Sequence, residues 1–178
     1  VLGGGIVACE MAQFLNRMGS KVIQIQRSPN ILRDHSKAAS SVIQQAFVDE
    51  GIELITGTKL RSVTHDRNGF LVSFNHKGKT ITRRAAHCLN ALGRSPHTAR
   101  LGLEQAGVKT GADGQILINR WQQTNVPHIY AAGDCSGPHE IVHVAIQQGE
   151  LAARHAARVA KIKPIDFSLL LSVVFTDP

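Results

Sequence analysis

Along the first 58 residues the spacing of apolar positions switches between strand and helix periods. Val1-Leu2 is a short apolar start that reads as a strand, and a glycine turn follows at Gly3-Gly4-Gly5. Met11, Phe14, Leu15 and Met18 then recur three and four apart, which predicts one face of a helix stopped by Gly19. Residues 21–26 read as a second strand, and Arg27-Ser28-Pro29-Asn30 has the composition of a turn. Ser36 stands where an N-cap belongs, ahead of a helix to Glu50 that aligns Ala39, Val42, Ile43, Ala46 and Phe47. Gly51 ends that helix, and residues 52–55 form a third strand. From residue 59 the period becomes two. Residues 59–63, 70–74 and 79–83 alternate around turns at Asn68-Gly69 and Lys77-Gly78, a small antiparallel meander. Residues 87–93 read as a buried strand that returns to the parallel sheet. Beyond it the pattern predicts a short helix over 101–106 and strands over 115–118 and within 124–134. A helix over 141–160 follows, with Val144, Ala145, Gln148, Ala152 and Ala156 on one side, and then a strand over 169–175.

The turn between the first strand and the first helix carries chemistry. Gly3-x-Gly5-x-x-Ala8 is a dinucleotide fingerprint in its Ala-ending form, in the strand–turn–helix context the motif requires. The first glycine permits the turn, the second lets backbone approach a pyrophosphate, and the small third residue lets the helix pack close. The helix then presents free N–H groups and its positive dipole end to the phosphates. The alternative is an ordinary β-α-β unit with a glycine turn. The fold class is α/β: a Rossmann-like parallel sheet carrying an antiparallel meander, with residues 94 onward as a second, partial domain.

Composition narrows the partners. The 178 residues carry a net charge of +7, yet aromatic residues are only 4% and the basic residues are scattered. There is no Lys/Arg stripe and no stacking platform, so nucleic acid is not expected, and anionic small molecules account for the excess charge. No apolar run has transmembrane length, and no signal-peptide pattern is found. Cys9, Cys88 and Cys135 are far apart in sequence, which argues against a disulfide scaffold or zinc site and fits a reducing cytoplasm. Cys88 reads as a small core residue. Cys9 and Cys135 follow glycine turns near helix starts, where a thiol pKa can fall, or they simply pack. The chain opens inside a strand without Met and is expected to be a piece of a longer protein.

Four motifs in order carry a resemblance: residues 3–12, Ala91-Leu92-Gly93-Arg94-Ser95-Pro96, Thr124 through Asp134, and residues 173–178. Over essentially its whole length the chain resembles the central part of the flavin-dependent pyridine nucleotide–disulfide oxidoreductase family. The resemblance implies a nicotinamide-nucleotide domain over 1–93, the returning half of an FAD domain over 94–168, and the start of a dimerisation domain over 169–178. It implies hydride transfer from NADPH through FAD to a redox-active disulfide, then to a disulfide, lipoamide or metal-ion acceptor, in a cytoplasmic homodimer. The family's first glycine fingerprint and its cysteine pair belong upstream of Val1, and its His–Glu pair downstream of Pro178, so the 178 residues alone are expected to lack turnover and hold no catalytic residue.

The resemblance also implies sites. Gly4, Ile6 and Val7 lie at the pyrophosphate with the rest of the fingerprint, and Glu10 lies near the nicotinamide and flavin; read without the motif, Glu10 is a solvated carboxylate. Gly93 borders the nucleotide site. Gly133 and Asp134 match the positions that meet the FAD ribityl chain, where the alternative for Asp134 is a helix N-cap. Val142 and His143 match the flavin's pyrimidine edge. At the end of the second strand, where NAD sites place an acid, stands neutral Gln26, followed by Arg27 and Arg33. Guanidinium groups pair bidentately with phosphate, so the expected nucleotide is NADP, with NAD possible. His139 and His143 are four apart, too few for a metal. A dinucleotide-binding module without redox chemistry, and an assembly or dimerisation element, stay open as alternatives.

Overall fold

A computed structural model describes residues 1–178, the side chain of Leu169 excepted. The chain forms two compact units: Val1–Gly93 with Ser172–Pro178, and Arg94–Leu171.

The first unit is built around parallel strands. β1 (Ile23–Ile25) pairs in parallel with β2 (Glu53–Ile55). Leu2 bridges Ile25 on one side and Asn90 on the other, both in parallel. The spatial order is therefore β2, β1, Leu2, Asn90, the third-second-first-fourth order of a mononucleotide-binding fold. Residues 1–2 and 87–93, expected as full strands, contribute single bridges.

Two helices cover one face of this sheet. α1 (Ile6–Arg17) and α2 (Lys37–Asp49) close over Cys9, Ala12, Val22, Ile31, Ile43, Phe47 and Ile52. Ser36 caps α2 as expected, its Oγ accepting from Ala39 N at 3.2 Å. The other face packs against the meander of β3 (Thr58–Asp66), β4 (Gly69–His76) and β5 (Lys79–Ala85), with Leu2, Ile25, Val72 and Phe74 between the layers and Cys88 beside them. The loop before β5 has Lys77 and Gly78 both at positive φ (47° and 77°), the conformation whose twist matches a two-residue hairpin.

α1 does not bury the face its large residues predict. Phe14 and Met18 are 55% and 70% exposed, and the buried residues are Ala8, Cys9, Ala12 and Gln13. Of the large apolar residues on the predicted face, Leu15 still packs against the helix-side core.

The second unit has one long helix, α3 (Val142–Ala156), which buries Val144, Gln148 and Leu151, and a core of Val108, Ile116 and Ala131. The helix expected over 101–106 is a series of turns with Gly102 at φ 63°. The strands expected over 115–118 and 124–134 contribute single bridges, Thr110 to Ile116 and Gln123 to Tyr130. α3 stops four residues short of the predicted Ala160, with Arg158 left-handed at φ 56°. Val159 N donates to Arg154 O and Arg158 N to His155 O, a Schellman closure. α1 and α2 end the same way, with Gly19 and Gly51 in the left-handed position.

The strand expected over 169–175 is absent among the described residues. Phe167–Leu169 is a 3-10 turn, and Ser172–Pro178 runs along α1 in the first unit. Its backbone pairs with helix side chains instead of a sheet: Phe175 N donates to Glu10 Oε1 (2.9 Å), Asp177 N to Gln13 Oε1 (2.8 Å), and Gln13 Nε2 to Asp177 O (2.6 Å).

Candidate functional site

The first unit's cavity, about 710 Å³, opens at the carboxyl ends of the parallel strands. This is where α/β sheets of this order hold ligands. The glycine turn forms its floor. Gly3 has φ 126°, and a Cβ there would run into the Ala91 carbonyl, so this glycine is required by the fold. A Cβ on Gly4 would come within 2.6 Å of the Gln26 side chain. A Cβ on Gly5 would meet nothing within 4 Å and would project into open space beside the cavity that Gly5 lines. That open space is a cradle sized for something other than protein.

Gly5 is also the N-cap of α1 and offers no capping side chain, and the first turn contains no acid. Among the described residues the N–H groups of Gly4, Gly5, Ile6, Val7 and Ala8 have no protein acceptor. Unpaired N–H groups at a helix N-terminus bind anions. Around them stand Arg27, Arg33 and Lys59, against a single acid, Asp34, whose Oδ2 lies 3.3 Å from Arg33 Nε. The Arg27 guanidinium has no partner among the described residues. Gln26 folds back so that its Oε1 accepts from Arg27 N at 2.8 Å. No carboxylate therefore occupies the end of β1. Free N–H donors, an open cradle and a cationic rim together fit the phosphates of a dinucleotide.

Of the residues singled out from sequence, Gly3, Gly4, Gly5, Ile6, Gln26, Arg27, Arg33 and Gly93 line this one cavity. Val7, Ala8 and Glu10 do not. Val7 is 55% exposed, Ala8 is fully buried against the sheet, and Glu10 accepts from Phe175 N. Cys9 packs, the favoured of its two readings, and burial pushes its thiol up to about 11. Ser28, His35, Thr58 and Lys59 also line the cavity and were not foreseen. Thr58 and Lys59 open β3, just past the carboxyl end of β2.

The second unit has its own cavity of about 730 Å³. Asp134 lines it, 3.3 Å from Arg94 Nη1, and Arg94 Nε also donates to Glu140 Oε2 at 2.8 Å. Gln122 lines it too, with a buried Oε1 that has no partner among the described residues. The half-exposed Asp134 carboxylate is an acceptor that fits a ligand bearing hydroxyl groups, as a ribityl chain does. Gly133 shapes the neighbouring backbone at φ 81°, its N–H donating to Gln148 Oε1 at 2.6 Å. Val142 and His143 stand exposed at the start of α3, outside the cavity lining.

The model for pyridine nucleotide-disulphide oxidoreductases matches residues 1–149. Mercuric reductase of Staphylococcus aureus is 35% identical over the whole chain, which covers 32% of that protein. Dihydrolipoyl dehydrogenase of Chlamydia pneumoniae is 31% identical, again over the whole chain and 37% of the relative. Among solved structures, LpdA from Mycobacterium tuberculosis superposes with a TM-score of 0.88 at 30% identity, over 98% of this chain and 37% of that one. An engineered water-forming NADPH oxidase bound to NADPH shares the fold, with a TM-score of 0.76 at 24% identity, over 93% of this chain and 36% of that one. The chain thus spans about a third of the length of the curated relatives it matches. With its model matched across residues 1–149, the chain belongs to the pyridine nucleotide-disulphide oxidoreductase family.

Proposed function

We propose that residues 1–93 are the NADPH-binding domain of a flavin-dependent oxidoreductase, and that residues 94–168 supply part of its FAD domain. Residues 169–178 are read as the start of a dimerisation domain. The observation that carries the nucleotide reading is the rim of the first cavity: neutral Gln26 where an acid would stand, with Arg27, Arg33 and Lys59 around the opening. A 2′-phosphate there meets guanidinium groups, whereas the ribose hydroxyls of NAD meet no carboxylate at the end of β1, where Gln26 stands.

When bound, NADPH supplies the hydride and FAD accepts it. The chain's own part is placement. The α1 N-terminus holds the pyrophosphate, Gly5 leaves room for it, and Arg27 and Arg33 fix the adenosine end. Asp134 orients the hydroxyl chain of the flavin nucleotide, with Arg94 keeping the carboxylate in place. The mercuric reductases and dihydrolipoyl dehydrogenase among the relatives support a disulfide route ending on a disulfide, lipoamide or metal ion as substrate.

Equilibrium titration with NADPH and NADH tests this reading. NADPH should bind at least about tenfold tighter. Equal affinities would overturn the choice of nucleotide, and no binding of either would overturn the site. A nucleotide-binding module without redox chemistry is the second reading, favoured by the two core clusters the first unit has of its own. A purified chain that retains flavin absorbance at about 450 nm argues against it.

A further inference from the structure

Gln24 is fully buried on β1, on the sheet face that α1 covers. Its neighbour on that face, Val22, is apolar and part of the helix-side core. The Gln24 Nε2 donates to the Gly3 carbonyl at 3.1 Å and points at the Cys9 sulfur at 3.8 Å. The Cys9 Sγ lies 3.8 Å from the Gly4 carbonyl. A carbonyl can only accept, so the amide nitrogen must face Gly3. That leaves Gln24 Oε1 buried with no partner among the described residues.

A buried orphan oxygen is unfavourable, and an apolar side chain of the same length would avoid it. The amide needs a reason, and its nitrogen supplies one. In a planar trans peptide the C=O and the following N–H point in opposite directions. Holding the Gly3 carbonyl down toward β1 turns the Gly4 N–H up. Holding the Gly4 carbonyl, which also accepts from Leu32 N at 2.6 Å, does the same for the Gly5 N–H. Cys9 can act as the donor in this relay because burial keeps it a thiol. Gly4 and Gly5 both line the cavity, and neither N–H has a protein acceptor among the described residues.

We propose that Gln24 is a positioning residue that holds the Gly3 carbonyl directly, and the Gly4 carbonyl through the Cys9 thiol, so that the Gly4 and Gly5 N–H groups aim at the phosphates of a bound dinucleotide. This rests on the NADPH reading above. The orphaned oxygen is the cost of a pre-aimed anion cradle.

The test compares two probes on the 178-residue chain. NADPH uses the glycine turn, whereas adenosine 2′-monophosphate has no pyrophosphate and reaches only the arginines. Gln24→Met keeps the volume and removes the amide. The dissociation constant for NADPH should rise about tenfold, and that for adenosine 2′-monophosphate should change less than about twofold. Cys9→Ala, which removes the relay and leaves the Gln24 amide in place, should weaken NADPH about threefold with the same selectivity. It carries the test if circular dichroism shows Gln24→Met to be unfolded. NADPH binding unchanged in both variants, or equal loss for both probes, overturns the role of Gln24. If the unmutated chain binds neither probe, the site reading itself fails and takes this inference with it.

Discussion

Arg27→Ala isolates the claim that a 2′-phosphate is recognised. The Arg27 side chain is exposed and has no hydrogen-bond or ion-pair partner among the described residues, so its removal breaks no contact within the fold. Stability should stay within about 0.5 kcal/mol of the unmutated chain, as for an ordinary surface substitution. A hydrogen bond to a charged group contributes about 1.5–3 kcal/mol, while exposed ion pairs contribute only about 0.2–1 kcal/mol. Arg27 combines a charged fork with an exposed position, which puts the expected loss near the lower end of the first range, about 1.5 kcal/mol. That is about tenfold in the dissociation constant for NADPH. NADH lacks the phosphate and should change less than about twofold.

The assay is a pair of equilibrium titrations at low salt, read as the ratio of the two constants. Salt provides a second axis. Raising it from about 0.1 M to about 1 M shortens the screening length from about 10 Å to about 3 Å, so the unmutated chain's preference should shrink toward that of the variant. Arg33→Ala should have a smaller effect, about threefold, because Asp34 at 3.3 Å already offsets part of its charge. An unchanged ratio in Arg27→Ala, or an equal loss for NADH, would refute the reasoning.

Three further outcomes separate fold from site. Gly3→Ala forces φ 126° and a collision with the Ala91 carbonyl, so it should destabilise by about 3 kcal/mol in urea denaturation, whereas Gly5→Ala should leave stability intact and abolish NADPH binding by filling the cradle. A stable Gly3→Ala, or a Gly5→Ala that binds normally, would contradict the assignment of these two glycines. Ser36→Ala removes the cap on Ala39 N and should cost about 1 kcal/mol of stability with nucleotide affinity unchanged. The Arg17 guanidinium, 2.6 Å away, holds the Glu50 carboxyl below the usual range, helped by the Gln13 amide. A lowered folded-state pKa means this stabilisation is complete above the ordinary glutamate value, about 4.3, and is lost as pH falls through the folded value. The pair is half open to water, so about 0.5–1 kcal/mol is at stake, and denaturation midpoints from pH 7 to pH 3 should fall less steeply in Glu50→Gln than in the unmutated chain.

What could be read from the sequence was whatever is written locally. Gly19 and Gly51 announced two helix ends because glycine is the residue that adopts the left-handed position without strain. Arg158 does the same work for α3, and no composition rule marks it. Ser36 and the Asn68-Gly69 turn were legible for the same local reason. The buried face of α1 was not. Periodicity favoured Phe14 and Met18, but how close a helix approaches its sheet is a tertiary matter, and the glycine turn settled it in favour of Ala8 and Ala12. The strand expected over 169–175 failed similarly: its apolar run was real, yet its backbone found Glu10 and Gln13 on a helix rather than a sheet edge. In the site, Gly3, Gly4, Gly5, Gln26, Arg27 and Arg33 sit within 33 residues of the start and could be read together. Thr58 and Lys59 join them only because β2 lies beside β1.

The same turn serves packing and binding, and the two demands fall on different glycines. Gly3 is fixed by the Ala91 backbone behind it, so the fold alone would keep it. Gly5 faces nothing, so the fold alone would accept alanine there, and its side-chain-free surface has meaning only if a ligand approaches. Gln24 follows the same logic in reverse. The core would favour an apolar residue at that position, and the amide is present where only the orientation of the Gly3 carbonyl benefits. At Gly5 and Gln24 the sequence departs from what packing prefers, Gly5 in the glycine floor and Gln24 in contact with it, and there a requirement other than stability is written into the chain.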